Sequence, residues 1–461
     1  MSEAMNVVDV PTTIDEQPLS RYQIFVMALC GLALFMDGFD TAAIGYVAPS
    51  LSKAWGLKAG TLGPVFGAGL FGLMIGALVL SPLADRIGRR YVIVFSSLFF
   101  GICALATAFA TSVDQLFWIR LLTGLGLGGV MPNAIAMTSE FAPKRLRSTA
   151  VMVTFFGFAL GSGLGGSIAA VLVLNFGWQS VFVFGGVLPL IFTAVLLTAL
   201  PESIRVLTLR GTEAARVAAL LARINPALRF DPSKTRFTAS DEPTSKRFPV
   251  ALLFHDGRAA VTLLLWVMFF VNLFELYFLA NWLPTVAQDA GLSERLSMVN
   301  AGMIHLGGMF GAVLFGRIVD RVRPFPALAG MYLMSGVFVA CIGLSGSTVP
   351  LFMISTFLSG FCIVGAQLSS NAVAAAYYPT VMRSTGVGWA LGVGRFGSVI
   401  GPILGGIVIG LHWPISTMLT IGALPTIAAT LAALTAGWLV DLKANRVAAA
   451  DSQSAIVMEC E

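Results

Sequence analysis

Twelve apolar runs, each long enough for a helix to cross a bilayer, divide this chain almost from end to end. They begin near Arg21, Thr61, Tyr91, Asp114, Ser148, Gln179, Ala259, Ser297, Phe325, Thr348, Ser384 and Pro414. About 20 helical residues span roughly 30 Å of hydrocarbon. Lipid offers the backbone no hydrogen bonds, so each such segment must pair its own N–H and C=O groups as a helix. Composition agrees, with 57% of residues hydrophobic and 11% charged, against about 25% charged in soluble domains. The expected fold class is all-α integral membrane, with twelve transmembrane helices in two six-helix bundles.

Residues 1–20 read as a cytoplasmic N-terminal tail and 21–200 as the first bundle. Residues 201–258 read as a cytoplasmic middle loop, 259–440 as the second bundle and 441–461 as a cytoplasmic C-terminal tail. An even number of crossings puts both ends on one side. Of the loop cations only Lys53, Lys58 and Arg295 fall on the opposite side, so the positive-inside rule places both termini in the cytoplasm. The start of the chain carries Glu3, Asp9, Asp15 and Glu16, unlike the basic, then apolar, start of a cleaved signal. The first run is therefore a retained helix. In the middle loop, "TEAARVAALLARI" is amphipathic and is expected to lie along the membrane surface.

The two halves repeat one another. "GALVLSPLADR", Gly76 to Arg86, aligns with "GAVLFGRIVDR", Gly311 to Arg321, and "PKRLRST" from Pro143 aligns with "PTVMRST" from Pro379. Gly157, Gly161, Gly165 and Gly166 map onto Gly397, Gly401, Gly405 and Gly406, which puts small residues at helix-packing spacing in both fifth helices. Parallel repeats of this kind mark secondary transporters. The same alignment sets Asp37 opposite Asn272 and Asp40 opposite Glu275, so "DGFD" in the first helix is answered by "NLFE" in the seventh. A carboxylate at the bilayer centre costs roughly 2.5–3.5 kcal/mol on insertion scales, which makes both stripes functional candidates.

The loop between the second and third helices carries Ser81, Asp85, Arg86, Gly88, Arg89 and Arg90. It resembles the G-x-x-x-D-R-x-G-R-R signature of the major facilitator superfamily, with Ser81 in place of the first glycine. The second-half copy keeps Gly316, Asp320 and Arg321. Within that superfamily "DGFDTAAIGYVAPSL", "LADRIGRR", "RLLTGLGLGGVMPNAIAMTSE" and "GVGRFGSVIGPILGG" are similar to the aromatic acid:proton symporters. The resemblance covers Ser20 to about Val440. It implies a major facilitator fold in a bacterial inner membrane, importing benzoate-type anions such as 4-hydroxybenzoate, protocatechuate or gallate. It also implies alternating access and the proton gradient, rather than a cofactor, as the driving force. The implied partners are a small aromatic carboxylate, protons and the lipid bilayer, with no nucleic acid; oligomeric state is left open by the sequence, although twelve helices enclosing one central site would work as a monomer.

Residues take roles accordingly. A flat carboxylate suits the planar fork of arginine, so Arg120 and Arg395, the two arginines inside helices, are candidate substrate ligands with Asp40, Asn272, Tyr277 and Trp389. Arg120 lies near a helix end, where snorkelling to water is the alternative; for Arg395 it is a structural salt bridge. Phe39, Tyr46, Phe274 and Trp282 are further rings able to stack on a substrate. Asp37, Asp40, Glu275 and His305 are candidates for proton coupling, with Arg395 weighed as a partner for Glu275. Asp85, Arg86, Gly88, Arg89, Arg90, Glu140, Arg147, Asp320, Arg321 and Arg383 form the candidate gating set. Asn272, Asn281, Gln367 and Asn371 lean the substrate toward hydroxylated benzoates. A carrier of another organic anion, a drug efflux antiporter or a transporter-like sensor stays open. An enzyme does not, since no Ser/His/Asp set, metal-ligand cluster or nucleotide loop is present, and the five cysteines show no paired spacing.

Overall fold

The computed structural model describes residues 6–211, 213–239, 250–255, 257–319, 322–379, 382–411 and 413–459. Sixteen α-helices, two short 3-10 turns and two short strands follow one another along these residues. The strands are β1 (Asn6–Asp9) and β2 (Thr235–Thr238). The helices of the first half are α1 (Val10–Asp15), α2 (Arg21–Trp55), α3 (Gly63–Ile87), α4 (Arg89–Thr107), α5 (Val113–Leu127), α6 (Val130–Phe141), α7 (Arg147–Phe176) and α8 (Gln179–Ala199). The middle loop holds α9 (Ile204–Arg210) and α10 (Ala214–Ile224). The second half has α11 (Ala259–Asp289), α12 (Glu294–Val319), α13 (Pro324–Leu344), α14 (Val349–Tyr377), α15 (Arg383–Gly410) and α16 (Ile415–Glu459).

Among the described residues twelve spans, with α5 and α6 forming one, are long and apolar enough to cross a membrane. The last helix runs on to Glu459, well past the expected end of the second bundle. The chain divides into two compact units. One is Met1–Ser245 with Ser293–Gly302, and the other is Lys246–Leu292 with Met303–Glu461.

Local chemistry sets the helix ends. Ser20 and Gln23 form a reciprocal capping box at the start of α2, and Gly56 closes it in the left-handed conformation. Gln23 also donates from its amide to the Phe141 carbonyl at 2.7 Å, tying the start of α2 to the end of α6.

Lipid tails are as apolar as leucine, so helices gain contact by removing side chains from the seam. A Cβ at Gly157 or Gly161 of α7 would overlap the carbonyls of Gly31 or Phe35 on α2. The counterparts Gly397 and Gly401 of α15 stand the same way against Phe270 and Phe274 of α11. Gly157 and Gly161, like Gly397 and Gly401, thus form the seam between fifth and first helix in each half, whereas Gly166 of the same ladder packs on the Met298 carbonyl of α12.

The tail and middle loop are more ordered than their polarity suggested. β1 pairs in parallel with β2, Asn6 opposite Thr235 and Asp9 opposite Thr238. The amphipathic piece becomes α10, but its apolar face is not laid on the membrane surface. Val217, Leu220, Leu221 and Ile224 are buried in one cluster with Val10 and Ile14 of α1 and Val26 of α2. That face finds a protein partner because α1 and α9 complete the same small core beneath α2.

The seam makes a prediction for thermal unfolding in detergent. Gly161→Ala forces a methyl into a backbone carbonyl and is expected to lose about 1–3 kcal/mol. Gly330→Ala, where a Cβ meets nothing within 4 Å, is expected to gain about 0.5–1 kcal/mol. Equal effects at the two sites would contradict the backbone contact.

Candidate functional site

Successive residues of "DGFD" face different neighbours because each step along a helix turns about 100°. Gly38 points at α7, where a Cβ would overlap the Phe158 carbonyl, and its own carbonyl accepts from Ser162 Oγ at 2.9 Å. Phe39 meets Phe184 of α8 edge-on, ring centroids 5.3 Å apart. Asp40, two residues beyond Gly38, faces α5 and pairs with Arg120. Nη1 donates to its two carboxylate oxygens at 3.0 and 3.3 Å, and Nη2 donates to its backbone carbonyl at 3.1 Å. Asp37 is buried and accepts from Thr41 Oγ1 at 3.2 Å.

Arg120 does not snorkel. It is 3% exposed and Asp40 1%, with the Phe182 ring of α8 5.9 Å from its Cζ. Two candidates named separately from sequence therefore form one buried ion pair. Phe182 was missed, since an apolar ring in an apolar helix carries no signal of its own.

In the second unit Glu275 is fully buried and accepts from Ser335 Oγ of α13 at 2.9 Å, so its partner is a hydroxyl and not Arg395. Arg395 is half-buried in α15 and forms no ion pair among the described residues. Asn272 donates to the Ile363 carbonyl of α14 at 2.9 Å. Its Oδ1, Gln367 Oε1 and Asn371 Oδ1 are buried acceptors without a donor among the described residues. Tyr277 is buried, and its carbonyl accepts from Asn281 at 2.8 Å. His305 is buried in α12.

Several rings proposed for substrate stacking are occupied by the protein itself. Trp389 stacks on Trp266 at 6.0 Å, Phe274 lies between Phe270 and Phe278, and Trp282 donates to the Pro402 carbonyl. Tyr46 donates its hydroxyl to the Ser162 carbonyl.

The gating candidates of the first unit fall into a connected cluster. Arg89 pairs with Glu140 at 2.6 Å and Asp85 at 3.4 Å. Ser203, just before α9, donates to Glu140, and Glu202 accepts from the Arg90 amide at 3.1 Å. Gly88 has φ +115°, and a Cβ there would overlap the Glu202 carboxylate, so the motif glycine admits that cap. Arg90 donates to the Leu197 carbonyl, while Arg86 is exposed, its backbone carbonyl accepting from Arg210 at 2.8 Å. Arg147 shares a small cavity with Glu140 and Arg205. Arg383 is exposed at the start of α15. Asp320 and Arg321 lie outside the described residues. Sequence reading missed Glu202 and Ser203, whose polarity at a helix end looks like any loop. Among the described residues no group of three or more His, Cys, Asp and Glu is placed to hold a metal ion.

The sequence profile of the Major Facilitator Superfamily matches residues 30–347 and 265–455. The chain is 42% identical to the 4-hydroxybenzoate transporter PcaK of Pseudomonas aeruginosa, over 94% of this chain and 97% of that one. It is 41% identical to a gallate transporter of Pseudomonas putida, over 93% and 95%. The solved structure of the xylose transporter XylE from E. coli superposes with a TM-score of 0.68, covering 89% of this chain and 97% of that one at 16% identity, a likeness of fold.

A buried charge left without its partner typically costs about 3–5 kcal/mol, whereas replacing both partners by apolar groups is often neutral. Asp40→Leu and Arg120→Met are therefore each expected to destabilise the protein strongly in thermal unfolding, and the double variant to recover most of the loss. Single variants as stable as the wild type would contradict the pair.

Proposed function

The chain belongs to the Major Facilitator Superfamily, and from this premise we propose that it imports hydroxylated benzoate anions together with protons, by alternating access. It is a multi-pass membrane protein and a transporter, not an enzyme. The setting we propose is a bacterial inner membrane, with both termini in the cytoplasm, a monomer as the working unit and no cofactor.

The observation that carries the reading is the buried pair of Asp40 and Arg120. A benzoate carboxylate and the Asp40 carboxylate want the same guanidinium. While Asp40 is ionised it holds Arg120, and an arriving anion would add a negative charge to a site already neutral. A proton on Asp40 removes that competitor and leaves a buried cation without a counter-ion, which an anionic substrate then neutralises. Ion pair exchanged for proton plus anion leaves the net charge of the site unchanged, so the loaded and empty forms are equally tolerable in a low-dielectric environment. Release runs in reverse. On the side of higher pH Asp40 loses its proton, takes Arg120 back and displaces the substrate.

The substrates in the names of the relatives support an aromatic carboxylate. Asp37, Glu275 and His305 are buried groups available to share the proton. The Arg89–Glu140–Asp85 cluster, capped by Glu202 and Ser203, is the proposed gating element at the end of the first unit that carries the tail and the middle loop.

Radiolabelled 4-hydroxybenzoate in proteoliposomes tests this. An inward proton gradient is expected to drive accumulation, with competition from other benzoates and none from a non-aromatic acid. Asp40→Asn is expected to lose gradient-driven accumulation. Wild-type accumulation by that variant, or no uptake by the folded wild type, would overturn the reading.

A further inference from the structure

The Arg120 guanidinium meets partners at both terminal nitrogens and over one face. Nη1 holds the Asp40 carboxylate, Nη2 the Asp40 carbonyl, and the Phe182 ring covers a face. The Nε–H has no acceptor among the described residues, although the side chain is 3% exposed. An unmade hydrogen bond on a buried charged group is costly, so an edge left in this way suits an acceptor that arrives from outside.

Beside that edge lies Gly69 of α3. A Cβ placed there would sit 3.9 Å from Nε and 3.6 Å from the Arg120 carbonyl, ordinary van der Waals contact. Other glycines of the same seam are different in kind. A Cβ at Gly72 or Gly76 would overlap the Leu121 or Leu125 carbonyl, and one at Gly124 would overlap the carbonyl of Gly69 itself. Backbone contact requires those three. Packing does not require the fourth, and a glycine inside a helix gives up backbone entropy that alanine would save. Gly69 is also partly exposed, while Ala68 and Leu70 beside it are buried.

We propose that Gly69 is a specificity-determining residue: the Nε edge of Arg120 is closed to water in this state, and the missing side chain at Gly69 leaves one oxygen of the substrate carboxylate room to reach it when the site opens. This rests on the aromatic-acid reading above and locates the anion within it. A charged N–H···O contact closes to about 2.7–2.9 Å, so the oxygen and a methyl at Gly69 compete for the same space. With Asp40 protonated, the bound carboxylate supplies the negative charge that Arg120 then lacks.

Gly69→Ala separates function from packing. The variant is expected to unfold at the wild-type temperature or above it. Its KM for 4-hydroxybenzoate uptake is expected to rise about ten- to a hundredfold, the range for a hydrogen bond to a charged group, with a much smaller change in kcat. A KM within twofold of the wild type would overturn the proposal. So would loss of folding, because the glycine would then be a packing residue like Gly72. A wild type that takes up no aromatic acid would overturn the functional reading and this proposal with it. A transporting wild type beside an indistinguishable Gly69→Ala would overturn only the role of Gly69.

Discussion

A guanidinium and a carboxylate taken out of water together, Arg120 and Asp40, set the terms for the first unit. Neither charge is tolerable there alone, and their attraction does little more than offset the desolvation of both. A pair so balanced is a poor source of stability and a good exchange site. Its components can be replaced by others of the same total charge at little cost, and a proton with an organic anion is such a replacement. The position of the pair follows from the α2–α7 seam. Gly38 must face the α7 backbone, which turns Asp40 toward α5.

The rest of the unit keeps the pair in place. Helices in lipid gain nothing from burying leucine against leucine, so their rotational setting comes from close backbone approach and from interhelical hydrogen bonds. Ser162 to the Gly38 carbonyl and Tyr46 to the Ser162 carbonyl lock α7 to α2 beside the carboxylates. Phe39 against Phe184 and Phe182 against Arg120 bring α8 to the same point. Below it, Arg89, Glu140, Glu202 and Ser203 join α4, α6 and the middle loop through charge. The paired strands β1 and β2 fold the tail onto that same loop.

Much of this was legible in the sequence, and the pattern of success has a physical reason. The twelve spans follow from length and hydropathy, because lipid permits one backbone solution. The glycine ladder was legible because contact between helices leaves a periodic trace. Asp40 and Arg120 were each conspicuous as charges in apolar runs. Their pairing was not, because it depends on how α2 and α5 are rotated, a tertiary quantity with no local signature. Gln179 to Ala199 reads as one more apolar run, so Phe182 was invisible. Gly69 was not singled out, because one glycine among many in a transmembrane helix carries no signal of its own. The tail and middle loop were read as surface segments because strands of four residues show no periodicity, and α10 shows an apolar face without showing what covers it. Most of the candidate stacking rings close helix contacts, which depend on that same rotation of the helices.

The central claim is that a proton on Asp40 is what frees Arg120 for the anion. The most direct measurement is proton uptake on binding, followed with a pH indicator as 4-hydroxybenzoate is added to purified protein in weakly buffered detergent solution. The account predicts protons taken up in step with saturation of the site by the wild type, and none by Asp40→Asn, which still binds. Binding by the wild type without proton uptake, or the same uptake by Asp40→Asn, would contradict it.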